Sequence, residues 1–183
     1  MLIEACEIPD VKLVRPKQFR DSRGFFSEVY SKSALAGGGL TDEFLQDNHS
    51  YSALAGTVRG LHFQKPPFAQ AKLVRVTRGR ILDIALDLRR ASPHYGRHVA
   101  RELSAENWEQ LYIPVGFAHA FCSLAPDTEV LYKVTSYYAP EADAGVLWSD
   151  PDLGIDWPVT ADHATVSEKD ARLPRLRDLK PIF

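Results

Sequence analysis

The stretch Val58-Arg-Gly-Leu-His-Phe-Gln64 decides how this chain is read, because it seats Arg59, His62 and Gln64 in an apolar run that otherwise has the composition of a buried strand. Burying a guanidinium or an imidazole costs free energy unless the group is paired, hydrogen-bonded or shifted in pKa. Such a strand points to a polar pocket inside a β structure. Strict alternation puts Gly60, His62 and Gln64 on one face and Arg59 on the other, and a bulge at Gly60 is the device that would re-aim Arg59. The same conflict recurs further along. Lys72 stands on the face of Val74 and Val76, where a long charged chain is out of place unless that face opens to a cavity. Tyr132 shares a face with Val130, Val134, Ser136 and Tyr138, while Glu129, Leu131, Lys133 and Thr135 take the other. A pocket with a base, a cation and a phenol is equipped for proton transfer.

Around this stretch, strand signals dominate. Phe25–Tyr30, Leu73–Thr77, Ile81–Leu88, His98–Leu103, Leu111–Ile113, Ala118–Leu124 and Glu129–Tyr137 are short, rich in β-branched or aromatic residues and punctuated by Gly, Pro, Asp or Ser. Arg78-Gly-Arg80 reads as a tight hairpin turn and Asp87–Gly96 as a longer one. Helical signal is confined to Ser31–Ala36 before Gly37-Gly-Gly39, a capped turn at Ser104, and a turn opened by Ser167-Glu-Lys-Asp170. The expectation is one all-β domain over residues 1–183, a sandwich or small barrel of jelly-roll type with a few short helices.

Composition narrows the function. The 183 residues are 45% hydrophobic and 25% charged, which are globular averages, and the net charge of −2 argues against a nucleic-acid or membrane-surface role. No apolar stretch approaches the roughly 18 residues of a spanning helix, and the N-terminal sequence lacks a signal-peptide pattern. Cys6 and Cys122 have no CxxC spacing and read as packing thiols in a reducing cytoplasm. Gly37-Gly-Gly39 lacks the GxGxxG spacing of a dinucleotide loop. Asp21-Ser-Arg-Gly24 is a turn whose guanidinium can grip phosphate, and Gln46-Asp-Asn48 reads as a polar loop or a row of ligand hydrogen bonds.

Pro114-Val-Gly-Phe-Ala-His119 has the PxGxxH form of the second cupin motif. Metal-binding cupins add an HxH pair and a Glu from a first motif, but the counterpart around Gly60-Leu-His62 holds a single His. Two imidazoles without a third ligand make a poor closed site, so no metal is expected. His119 stays open between a hydrogen-bonded structural residue and a site residue.

The blocks Asp21–Glu28, Gln46–His49, Val58–Gln64, Gln70–Val74, Ile113–Phe121, Leu131–Thr135, Tyr137–Tyr138 and Ser167–Asp170, in this order, resemble the dTDP-sugar epimerase family of the cupin superfamily across most of the chain. The resemblance implies a dTDP-4-keto-6-deoxy sugar substrate, epimerised at C3 and C5 on the route to dTDP-L-rhamnose. It implies His62 as the base with Asp170 as its dyad partner, Tyr132 as the acid on the opposite face, and Lys72 beside the developing oxyanion. It places Arg23, Glu28, Gln46, Asp47, Asn48 and Arg59 with the nucleotide and its phosphates, His119 in the pocket and Tyr138 on the thymine ring. Asp143 and Lys169 fall near the substrate site, although Asp143 replaces a commoner Glu. A homodimer sharing the N-terminal region is implied as well, and no cofactor, since no net electrons move. Epimerases restricted to one carbon and 3,4-ketoisomerases share the fold and stand as alternatives, with a non-catalytic sugar-nucleotide binder as the remote one.

Overall fold

The computed structural model describes residues 1–183 and contains thirteen strands and two short α-helices: β1 (Leu2–Ala5), β2 (Lys12–Arg15), β3 (Phe19–Asp21), β4 (Gly24–Phe26), α1 (Lys32–Gly37), β5 (Gln46–Ser52), β6 (Val58–Gln64), β7 (Lys72–Arg78), β8 (Arg80–Asp87), β9 (His98–Ser104), β10 (Gln110–Ile113), β11 (Phe117–Ser123), β12 (Thr128–Val134), β13 (Asp143–Gly145) and α2 (Glu168–Ala171). Two antiparallel sheets carry the architecture. One has the order β1-β2-β10-β7-β12-β5 and the other β13-β6-β11-β8-β9, while β3 and β4 pair only with each other. No helix is long and apolar enough to cross a membrane.

The interior is divided between an apolar core and a polar cleft. Val74, Val76, Leu111, Ile113 and Val130 from one sheet pack against Ile81, Ala85, Val99, Leu103, Phe117 and Phe121 from the other, and Tyr132 sits against this cluster. Two-residue alternation then assigns the outer faces. Leu61, Phe63, Ile84, Leu86, Ala118 and Ala120 face away from the interior and are covered by the C-terminal segment, including Leu176, Leu179 and Phe183. The opposite outer face holds Val14, Leu73 and Tyr112 under Leu35 of α1 and Leu40. Ser31 caps α1 and Ser167 caps α2, each accepting a backbone N–H three residues on, as their positions predict.

Three expectations need correction. Arg78-Gly79-Arg80 is not a hairpin turn: β7 pairs with β10 and β12, β8 with β9 and β11, so the chain crosses between sheets there. Gly79 makes the corner with φ +74°, and a Cβ would lie 2.4 Å from the Thr128 hydroxyl. Second, Phe25–Tyr30 is a strand only at Gly24–Phe26, in a hairpin where Phe25 and Phe26 are exposed. Third, Gln46–Asn48 belongs to the seven-residue strand β5, paired in full with β12. Its polar composition hides a strand whose inward face lines a wet cleft rather than the core.

Candidate active site

β6 carries the centre of the site. Its pairing with β11 aligns His62 with His119 and Arg59 with Phe121, so Gly60 and Leu61 together oppose Ala120. That bulge shifts the alternation and brings Arg59 to the same side as His62, and both line one cleft. Gly60 is required here, because with φ +122° a Cβ would lie 2.6 Å from the Ala120 Cα. Its backbone N–H donates to Asp170 Oδ2 at 3.1 Å, and Asp170 Oδ1 lies 2.7 Å from His62 Nε2. Asp170 is itself set by the α2 cap, where its N–H donates to Ser167 Oγ.

Protonation follows from this geometry. Burial acts to raise the Asp170 carboxyl, but the His62 hydrogen bond and charge, with the Gly60 and Ser167 contacts, hold it below the usual carboxylate range. As a carboxylate it accepts the His62 Nε2 proton, which leaves the lone pair of the neutral ring on Nδ1. Nδ1 of His62 is therefore the ring atom left free to accept a proton.

The opposing sheet supplies Lys72 and Tyr132, and β11, beside β6, supplies His119. Lys72, at the start of β7, is buried, with its Nζ 6.0 Å from the centre of the Tyr132 ring. Loss of hydration pushes the ammonium down to about 8, with Asp83 and Asp143 acting in the other direction. Burial raises the Tyr132 phenol, so it stays protonated at neutral pH. His119 lies with its ring centre 6.4 Å from that of Tyr132 and donates through Nε2 to Asp83 Oδ1 at 2.7 Å; burial lowers its pKa. Two adjoining lobes of about 470 and 390 Å³ meet at His62, Lys72, Tyr132 and Lys169. The His62 imidazole stands on one sheet, and the Tyr132 phenol and Lys72 ammonium stand on the other.

The first lobe is rich in hydroxyls, with Arg59, Ser50, Thr57 and Ser167 in its wall, and the Ser50 hydroxyl is buried without a partner. Arg59 is anchored across the cleft by the Tyr51 carbonyl at 2.8 Å. The second lobe holds Gln46, Asn48, Tyr138, Asp143 and Lys169. There Asp143 accepts from the Tyr138 hydroxyl at 3.1 Å and pairs with Lys169, whose ammonium it stabilises. No group of three or more His, Cys, Asp and Glu side chains is placed to hold a metal ion.

Of the residues expected in the site, Arg59, His62, Lys72, His119, Tyr132, Lys169 and Asp170 line the first lobe, and Gln46, Asn48, Tyr138 and Asp143 the second. Asp47 is not in the cleft: it points from the outer face of β5 and pairs with Lys133 at 3.0 Å, because its neighbours take the inward positions. Arg23 and Glu28 are outside as well, and Arg23 is exposed in the β3–β4 turn, bonded to Asp21. The sequence reading missed Asp83, Ser50 and Thr57. Asp83 had a usable signal, a carboxylate between Ile81 and Ala85 on the inward face of an apolar strand.

Fold and site together define a cupin-type jelly roll whose cleft sets a His–Asp dyad against a phenol and an ammonium. The profile of the dTDP-4-dehydrorhamnose 3,5-epimerase family matches residues 5–178. A dTDP-4-dehydrorhamnose 3,5-epimerase from Sinorhizobium fredii is 49% identical over the whole chain and 93% of its own length. The structure of one from Bacillus anthracis with TDP and PPi bound has a TM-score of 0.92 at 50% identity, covering 95% of this chain and 98% of that one. A dTDP-6-deoxy-D-glucose-3,5-epimerase from Legionella pneumophila in complex with dTDP-4-keto-L-rhamnose has a TM-score of 0.93 at 40% identity, covering 98% and 94%. The chain belongs to the dTDP-4-dehydrorhamnose 3,5-epimerase family.

Proposed function

We propose that this chain, acting as a single domain over residues 1–183, converts dTDP-4-dehydro-6-deoxy-D-glucose into dTDP-4-dehydro-L-rhamnose by inverting C3 and C5. The observation that carries the reading is the arrangement of acid and base on facing sheets: His62, held by Asp170 of α2, on one, and Tyr132 with Lys72 on the other. C3 and C5 both flank the C4 carbonyl, so removing either hydrogen builds charge on O4. His62 Nδ1 takes the proton, and Asp170 steadies the imidazolium. Lys72 stands ready as fixed charge beside the oxygen. Tyr132, kept neutral by burial, returns a proton to the other face of the same carbon. The sequence of steps then repeats at the second carbon, and no electrons are gained or lost.

The test is NMR of the purified protein with the 4-keto sugar nucleotide in D2O. Deuterium at both C3 and C5 with formation of the L-lyxo ketone is expected. Label at one carbon alone would make the chain a single-site epimerase, and a shift of the carbonyl from C4 to C3 a ketoisomerase.

In the bound state, Arg59 and the neighbouring hydroxyls take the diphosphate and Tyr138 stacks on the base, with Gln46, Asn48 and Lys169 around it. Arg23 and Glu28 act on this reading in the cleft of a second subunit, in a cytoplasmic homodimer that shares the N-terminal region. The β3–β4 hairpin supports it: it joins neither main sheet and exposes Phe19, Phe25 and Phe26. Arg23→Ala should weaken binding of dTDP roughly tenfold, with a loss that shrinks at high salt. Unchanged affinity in calorimetry would remove Arg23 from the site.

A further inference from the structure

Four aspartates are buried in this protein: Asp83, Asp87, Asp150 and Asp170. Three of them have both carboxylate oxygens hydrogen-bonded: Asp87 by Arg89 and Ser92, Asp150 by two backbone N–H groups, and Asp170 by His62 and Gly60. Asp83 is different. Its Oδ1 accepts from His119, but its Oδ2 is fully buried with no partner. Leaving a buried carboxylate oxygen unpaired is costly, so its retention calls for a use other than stability.

That use is found by asking which charges face Lys72. Arg59 and His62 reach the cleft from β6, His119 from β11, Tyr132 from β12, Asp143 from β13, and Lys169 and Asp170 from α2, while Asp83 lies behind them on β8. Asp170 is committed to His62, and Asp143 to Lys169 and Tyr138. Asp83 alone among these anions has a fully buried oxygen without a partner, and of the groups supporting the charged form of Lys72 it acts most strongly. We infer that Asp83 is a positioning residue of the reaction: one oxygen fixes the His119 ring, and the buried carboxylate, its other oxygen unpaired, is the standing counter-charge of the Lys72 ammonium in the cleft. The inference rests on the epimerase reading for what Lys72 does, but its electrostatic content can be measured without turnover.

The experiment titrates Lys72 in protein labelled with 13C-lysine, its Cε signal assigned with Lys72→Arg, in wild type and in Asp83→Asn. In wild type, Lys72 should be charged at pH 7 and titrate near pH 8, where the alkaline limb of kcat/KM should fall. In Asp83→Asn, the titration and the limb should both move down by about one pH unit or more, as loss of a nearby opposite charge predicts. At pH 8 that makes kcat/KM roughly fivefold lower, while affinity for dTDP holds. An Asp83 that served only as scaffold would lower the profile at every pH without moving its limb. If Asp83→Asn does not fold, Asp83→Ser removes the same charge and leaves room for water at His119. Wild-type Lys72 already neutral at pH 7, or an unmoved titration in a folded variant, overturns the inference. A protein in which Lys72 titrates as expected but which exchanges no hydrogen of the keto sugar overturns the epimerase reading instead.

Discussion

His62→Ala is expected to reduce turnover of the 4-keto sugar nucleotide by about 10²- to 10⁴-fold, the span set by the removal of a general base. The expectation rests on the neutral ring donating through Nε2 to Asp170, which leaves Nδ1 as its free lone pair, and on the partial exposure of the side chain (33%) in the wall shared by both lobes. His119 is not placed to replace it. That ring is buried and spends its Nε2 on Asp83. The fold should survive, because Asp170 keeps the Gly60 N–H and the α2 cap stays intact; loss of one hydrogen bond to a buried carboxylate costs about 1–3 kcal/mol. Exchange of the C3 and C5 hydrogens for deuterium should fall in step with turnover, since abstraction itself is lost. A folded variant that turns over within a factor of a few of wild type would take His62 out of the mechanism.

What was legible in the sequence follows from where apolar and polar demands coincide. The strands of the core, such as Ile81–Leu88 and Ala118–Leu124, bury one or both faces and announce themselves by composition. Strand β5 does not, since Gln46, Asn48 and Ser50 face a wet cleft and Asp47, His49 and Tyr51 face outward, so neither face is apolar. The same strand explains Asp47: sequence adjacency to Gln46 and Asn48 suggested a shared role, and the two-residue period sends it to the other side. The bulge at Gly60 was legible as an opportunity and became definite only through pairing with β11. The His62–Asp170 dyad joins residues 108 apart in the chain, a distance over which periodicity carries no information, so only the family pattern could point to it. The corner at Gly79 was misread because a lone Gly between two strands fits a turn within one sheet as readily as a crossing between two.

Tyr132→Phe separates the two halves of the proposed reaction. The phenol stands on β12, in the sheet facing the one that carries His62, and its ring lies near Lys72 and His119. Removing the hydroxyl leaves the base, its Asp170 partner and the Lys72 ammonium untouched. The variant should still abstract a proton, build charge on O4 and wash deuterium from solvent into the substrate at near the wild-type rate. The proton then has one practical route back, from the imidazolium on the face it left, so configuration is retained. Inversion should fall by about 10²-fold or more, the usual contribution of a positioned acid, while exchange persists. Packing gives no competing explanation, because the Phe ring fills the same space against the core cluster and only the hydroxyl is lost. The ratio of exchange to inversion, read from one set of NMR spectra, is therefore the decisive quantity. If Tyr132→Phe abolishes exchange along with inversion, the phenol serves abstraction, and the assignment of base and acid to opposite sheets is wrong.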